Sequence, residues 1–289
     1  MSRKRGRSGI VRGKIRRVTS IDLLDAGAVD AVAGLCRRSL ADPPSPDELA
    51  AVLFGDDAPA LVRGDPEVGV VATGEGDGNG FVKLLVVDPA HRRRGHGRAL
   101  LDAAEADLAG RSSITVGADA PFYLFPGVGT GETALLCLLE RRRYQRRDTA
   151  FNMRVELGAL PPDRGDTTTA TAADRAEVET WLDAHWPHWR AEALRALDRG
   201  TLVVAHDHEG ISAFCAYGVN RAGWVGPVAV RPDLLGRGAG EGVLIGALHR
   251  MRTAGHQSAE IAWVGPIVPY ASVGAVVSAV FFVYRKTLR

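Results

Sequence analysis

The chain has 289 residues, 46% of them hydrophobic and 24% charged, with a formal net charge of +2. That is enough length for about two ordinary domains, and the balance excludes a disordered or fibrous chain. The charge is uneven: the first 17 residues carry eight Lys/Arg and no acid, and without them the net charge falls to −6. Residues 1–13 read as a basic tail with no apolar run for a secretory signal. A solvated terminus is the reading, in preference to a grip on nucleic acid. Cys36, Cys137 and Cys215 are odd in number and lack metal-ligand spacing. They read as small core residues in a reducing, cytoplasmic setting, with no metal expected.

In chain order, Ile15–Val18 reads as an opening strand. Residues 28–40 have helical spacing, as do 46–54, where Ser45, Pro46 and Glu48 form an N-terminal capping signature. Residues 60–63 and 68–73 read as short strands, followed by a Gly-rich turn at 74–80 and a strand at 81–87. A basic Gly-containing loop leads into a helix over 97–108, then a strand at 113–116. The loop from 119 to 131 carries the apolar run Phe122 to Val128, read either as a lid or as cover for a hydrophobic edge. A helix at 132–142 and a strand at 150–157 close the first half. Residues 158–170 have linker composition, which divides the chain into 14–157 and 171–289.

The second half repeats the order in shortened form. A helical stretch over 174–197 breaks at Pro187, a hairpin spans 201–219, and a strand at 224–230 precedes a second Gly-containing loop. A helix at 240–253 and strands at 259–264 and 276–284 follow. Residues 261–284 hold no charge, which by length alone permits a membrane span. Pro266, Pro269 and the β-branched run from Val276 favour strand–turn–strand instead. The fold class is therefore α/β (α+β): two tandem units, each a mixed, mostly antiparallel sheet flanked by helices.

The strongest signal is internal. Val87-Asp88-Pro89 with Arg92-x-x-Gly95-x-Gly97 recurs, after a shift of 143 residues, as Val230-Arg231-Pro232 with Leu235-x-x-Gly238-x-Gly240. Each copy aims loop N–H groups and a helix N-terminus at one point, the requirement for holding a diphosphate. Arg93, Arg94, Arg98 and Arg237 offer charge-assisted contacts to it.

These residues make each half resemble the GNAT superfamily of N-acetyltransferases, as a tandem two-domain member. The first copy matches the family signature fully; the second has Leu235 where Gln or Arg is usual. The resemblance implies acetyl-CoA as cosubstrate. Its diphosphate would lie on residues 92–98 (Arg92, Arg93, Arg94, Gly95, His96, Gly97, Arg98) and on residues 235–240 (Leu235, Gly236, Arg237, Gly238, Ala239, Gly240). It further implies pantetheine pairing to the backbone of Leu85 and Val87, and of Val228 and Val230.

The family's thiolate-protonating tyrosine matches Tyr270, whereas Leu139 stands at that place in the first half. Chemistry is therefore expected in the second half, with the first as a second active site or a domain that binds without turnover. An alkylamine acceptor is cationic at neutral pH, and freeing it costs roughly 4–5 kcal/mol. Glu260 is the expected base, or else a surface acid. The expected reaction is acetyl transfer to a small-molecule (or peptide) primary amine by a monomer of two pseudo-symmetric halves. The rivals are chemistry in the first half, and a non-catalytic acetyl-CoA-binding module with a nucleic-acid-binding tail. Trp181, Trp186 and Trp189 read as core packing before acceptor pocket, and His206 and His208 as a solvated turn.

Overall fold

The computed structural model describes residues 21–55 and 60–288. The basic tail and the expected opening strand at 15–18 lie outside the described residues.

The first half runs β1 (Leu23–Leu24), α1 (Val29–Ser39), α2 (Pro46–Leu53), β2 (Leu61–Asp65), β3 (Gly69–Gly76), β4 (Asn79–Val87), α3 (His96–Asp107), β5 (Ser113–Val116), β6 (Val128–Gly129), α4 (Thr133–Arg141) and β7 (Gln145–Glu156). The second runs β8 (Thr167–Thr169), α5 (Arg175–His185), α6 (Arg190–Asp198), β9 (Leu202–Asp207), β10 (Gly210–Tyr217), β11 (Trp224–Val230), α7 (Ala239–Thr253), β12 (Ser258–Ile261), α8 (Val268–Ala271) and β13 (Val276–Thr287). β8 lies inside the stretch of linker composition and pairs with β9.

The local chemistry acts as expected at several boundaries. Ser45 accepts from the Glu48 N–H at 3.2 Å while Glu48 accepts from the Ser45 N–H at 2.8 Å, closing the capping box that starts α2. The helical stretch after the linker divides at Pro187, where α5 gives way to a 3₁₀ turn and then α6. Residues 261–284 form the end of β12, one helical turn and most of β13. Among the described residues no helix is long and apolar enough to cross a membrane.

Each half has an apolar core on either face of its sheet. In the first, Leu35, Leu49 and Leu53 of α1 and α2 cover one face, and Leu100, Leu101 and Leu139 of α3 and α4 cover the other. In the second, α5 and α6 bring Val178, Leu182 and Ala196 to one face; α7 brings Val243, Leu244 and Leu248 to the other.

What joins the halves is an exchange of closing strands. The sheet runs β1-β2-β3-β4-β5-β13-β7-β12-β11-β10-β9-β8. β13, last in the chain, pairs with β5 of the first half through Tyr284↔Val116 to Thr287↔Ser113. β7 pairs with β12 of the second half through Ser258↔Glu156 to Ile261↔Met153. The two closing strands then pair with each other from Val276↔Arg154 to Arg285↔Gln145. Backbone ladders rather than side chains alone therefore cross the seam.

Side chains reinforce it. Arg221, between β10 and β11, donates to Asp42 at 2.6 Å and to Glu48 at 3.3 Å, while the Ala222 N–H donates to Glu48 at 2.9 Å. The run Phe122 to Val128 is a seam filling and not a lid. Phe122 enters the core of the second half beneath the Arg195 guanidinium. Tyr123 packs against Trp224 and Trp263.

Candidate active site

Both loops adopt one backbone shape. Arg93 and Gly95 have φ of 63° and 91°, and their counterparts Gly236 and Gly238 have φ of 78° and 88°. The left-handed Gly95 and Gly238 are the N-caps of α3 and α7, and neither helix start has a side-chain cap. The first-turn N–H groups are thus left pointing outward, as an anion cradle requires.

The side chains differ. Arg92 donates through Nε to the Val87 carbonyl and through Nη2 to that of Ser39, each at 3.1 Å, so it braces the loop against β4 and α1. His96 is buried, and burial holds its imidazole pKa below the usual range; only its backbone can meet a ligand. Arg94 is exposed. Arg93 and Arg98, joined by Arg141 from α4, line a cavity of about 350 Å³ that reaches Leu85 and Val87.

Beside it lies a second cavity, of about 250 Å³, at the seam. Leu40, Leu85, Glu132 and Leu135 line both. The second cavity lies where β4 and β5 part: their pairing ends with Val82↔Val116 and a bond from the Gly117 N–H to the Val82 carbonyl. Its far wall comes from the exchanged region, including Asn152, Trp224 and Ala279. Glu260 also lines it, accepting from the Ser278 hydroxyl. The carboxylate expected to serve the second half thus lines a chamber whose walls include β4 and β5 of the first.

In the second half, Leu235 cannot brace the strand end, and Trp186 takes over: its indole N–H donates to the Val230 carbonyl at 2.9 Å. Trp186 follows α5 as Leu40 follows α1, so an indole covers the fork where the first half has an isobutyl group. Arg98 has Glu241 as counterpart, in the first turn of α7, paired with Arg164 at 3.2 Å and accepting from Ser272 at 3.1 Å. Arg237 is exposed. Tyr270, on the single turn α8, is half-buried against the core, and burial raises its phenol to about 12. Leu139 is fully buried, as a residue without a polar role should be.

Trp181 is part of the apolar core, and His206 lies 3.6 Å from Glu177. Sequence reasoning missed Lys83 and Asp119, a buried ion pair at 2.6 Å. Burial pushes the Asp119 carboxyl up while Lys83 pulls it down, burial being the larger effect. The available signal was a lysine inside the otherwise apolar run Phe81-Val82-Lys83-Leu84-Leu85-Val86-Val87.

The first half thus sets a helix-capped loop beside a fork in the sheet, and comparison with known families gives the class. Residues 58–124 match the acetyltransferase (GNAT) domain. The chain belongs to the GNAT acetyltransferases and is an N-acetyltransferase of the tandem type. It is 30% identical to the mycothiol acetyltransferase of Clavibacter sepedonicus over 261 residues, covering 81% of this chain and 83% of that one. Among solved structures it resembles a tandem GNAT protein from the clavulanic acid biosynthesis pathway (TM-score 0.70, 15% identity, 93% of this chain and 98% of that one). It also resembles the glucosamine N-acetyltransferase region of a fungal multi-domain β-N-acetylglucosaminidase (TM-score 0.75, 20% identity, 94% of this chain). The chain spans 38% of that protein's length.

Proposed function

We propose that the protein transfers acetyl from acetyl-CoA to the primary amine of a small molecule, and that transfer takes place in the first half. The observation that carries this reading is that the arginine-lined cavity and the seam chamber are neighbours, with four wall residues in common. The diphosphate would rest on the first turn of α3 with Arg93, Arg98 and Arg141 around it, and the pantetheine along Leu85 and Val87. The thioester then reaches the fork. An amine entering the chamber loses its proton to Glu260 and attacks the carbonyl carbon; backbone N–H groups at the fork hold the oxyanion.

The first half has no tyrosine for the departing sulfur. Thiols ionise near 8.5, so a thiolate already leaves tolerably, and a positioned acid adds about 10²–10⁴-fold. The second cleft is disfavoured by charge. Glu241 occupies the first turn of α7, where it already complements the helix end and would repel a diphosphate. Tyr270 supports the opposite assignment, with transfer in the second half. The name of the relatives favours a mycothiol-type acceptor, and both halves of one chain suffice to build the chamber.

Two measurements test the reading. Titration calorimetry with CoA should give one site per chain, weakened about 10- to 100-fold by Arg98→Glu. Thiol release from acetyl-CoA, screened over primary amines that include amino sugars, should identify an acceptor whose turnover at limiting acetyl-CoA falls to a similar extent with the same variant. Turnover abolished by Tyr270→Phe yet indifferent to Arg98→Glu would move the chemistry to the second half.

A further inference from the structure

We infer that Arg141 grips the ribose 3′-phosphate of the cofactor, so that the site selects CoA over a carrier that shares its diphosphate but lacks that group. This deepens the reading that CoA lies in the first cleft and rests on it.

Helix α4 acts as a ruler along the arginine-lined cavity. Glu132, Leu135, Leu138 and Arg141 succeed one another at three-residue steps, and all four line it. Glu132 and Leu135 mark the end shared with the seam chamber, where the thioester would react. Leu138 stands against the first turn of α3: a Cβ on Gly97 would lie 3.4 Å from its side chain. That is the level at which the diphosphate would rest. Arg141 comes one turn later, ~4.5 Å further along the helix at 1.5 Å per residue. A cofactor laid from the fork to the loop has its ribose beyond the diphosphate, and so beside Arg141.

The last turn of α4 is anchored without spending this guanidinium. Arg142 reaches across to α3, where it pairs with Asp102 and, at 2.6 Å, with Glu105. Arg141 is exposed at the cavity wall, and among the described residues no acid pairs with it or with Arg98. Two guanidiniums lining one cavity with no carboxylate between them repel, and a bound polyanion relieves the repulsion. A phosphomonoester suits the place: it carries about −1.5 to −2 charges at neutral pH and accepts paired bonds from a guanidinium.

The second half shows that these two positions face each other. With Tyr270 as the counterpart of Leu139, Ser272 is the counterpart of Arg141, and Glu241 is that of Arg98. The Ser272 hydroxyl donates to Glu241 at 3.1 Å. The second half closes this gap with a hydrogen bond, whereas the first lines it with two cations.

The test is titration calorimetry of the full chain with CoA and with dephospho-CoA, which differ only in the 3′-phosphate. The parent should bind CoA about 10- to 100-fold more tightly. Arg141→Gln should weaken CoA binding about 10-fold or more while affinity for dephospho-CoA stays within about threefold, so that the preference shrinks. Arg141→Lys should keep part of the preference, as a point charge without the planar fork. In steady-state kinetics the effect should fall on KM for acetyl-CoA. Because Arg141 is exposed, its replacement costs the fold little. An equal loss for both ligands overturns the proposal and puts Arg141 on the diphosphate. No loss for either also overturns it and leaves Arg141 as a complement to the helix dipole. If in either case Arg98→Glu still weakens both ligands, the first-cleft reading survives alone. If CoA affinity is indifferent to Arg98→Glu and Arg141→Gln but falls with Arg237→Glu, both fall.

Discussion

The two Gly-containing loops are nearly the same object in backbone and quite different objects in chemistry. Left-handed residues fall at matching positions, and each loop ends in a helix with an open N-terminus. Yet Arg92, Arg93 and Arg98 of one correspond to Leu235, Gly236 and Glu241 of the other. Leu40 beside the first fork corresponds to Trp186 beside the second. Backbone shape can persist after a duplication because glycine and the helix start maintain it. Ligand binding depends on charge and space at the rim, and those are the features that separate the halves. The lesson is that a shared loop backbone records ancestry, while the residues around it carry the chemistry in which the halves differ.

Several experiments would break or sharpen that contrast. The largest effect is expected at the chamber: Glu260→Gln should reduce kcat about 10²–10⁴-fold with little change in CoA affinity, because the amine then keeps its proton. Steady-state kinetics and calorimetry on the same preparation separate the two quantities. Unchanged turnover would return Glu260 to the role of a surface acid.

The seam itself can be probed through Glu192 on α6, buried beside Arg195, with its carboxyl raised to about 8 chiefly by burial. A carboxyl raised in the folded state binds its proton more tightly there than in the unfolded chain. Its contribution to stability is full below the unfolded value near 4.5 and is lost as pH rises towards 8. Glu192→Gln should therefore flatten the decline of Tm across that window, gaining at most about 5 kcal/mol at its alkaline end. A parallel pair of Tm–pH curves for parent and variant would refute it.

Next in size is Arg98→Glu, which copies the second loop into the first. Losing a charge-assisted contact and adding repulsion should weaken CoA binding about 10- to 100-fold, and the loss should shrink at high salt. The smallest and most delicate effect is the reverse swap. Glu241→Arg with Trp186→Leu should raise CoA stoichiometry from one towards two per chain, the added site being the weaker. A calorimetric isotherm that stays at one site would show that more than rim charge and the indole closes the second cleft.

Much of the architecture was legible because it rests on local rules. The capping box at Ser45, the helix break at Pro187, the positive-φ glycines before α3 and α7, and the strand–turn–strand over 261–284 each depend on residues a few positions apart. The 143-residue repeat likewise announced two related units and an acyltransferase fold. Long-range facts were not legible. Nothing in β7 or β13 taken singly says that each completes the other half's sheet, because strands of equal length and apolarity can pair with either neighbour. For the same reason Glu260, read within its own half, gave no sign that it lines a chamber walled largely by the other. Lys83 looked like an interruption of an apolar strand until Asp119 supplied its partner. Sequence alone determined the kind of element at each position and the family, since propensity, caps and motif spacing are properties of neighbouring residues. Tertiary structure decided which strands meet at the seam and which side chains share a cavity there, because cavities and ion pairs exist only where distant segments meet.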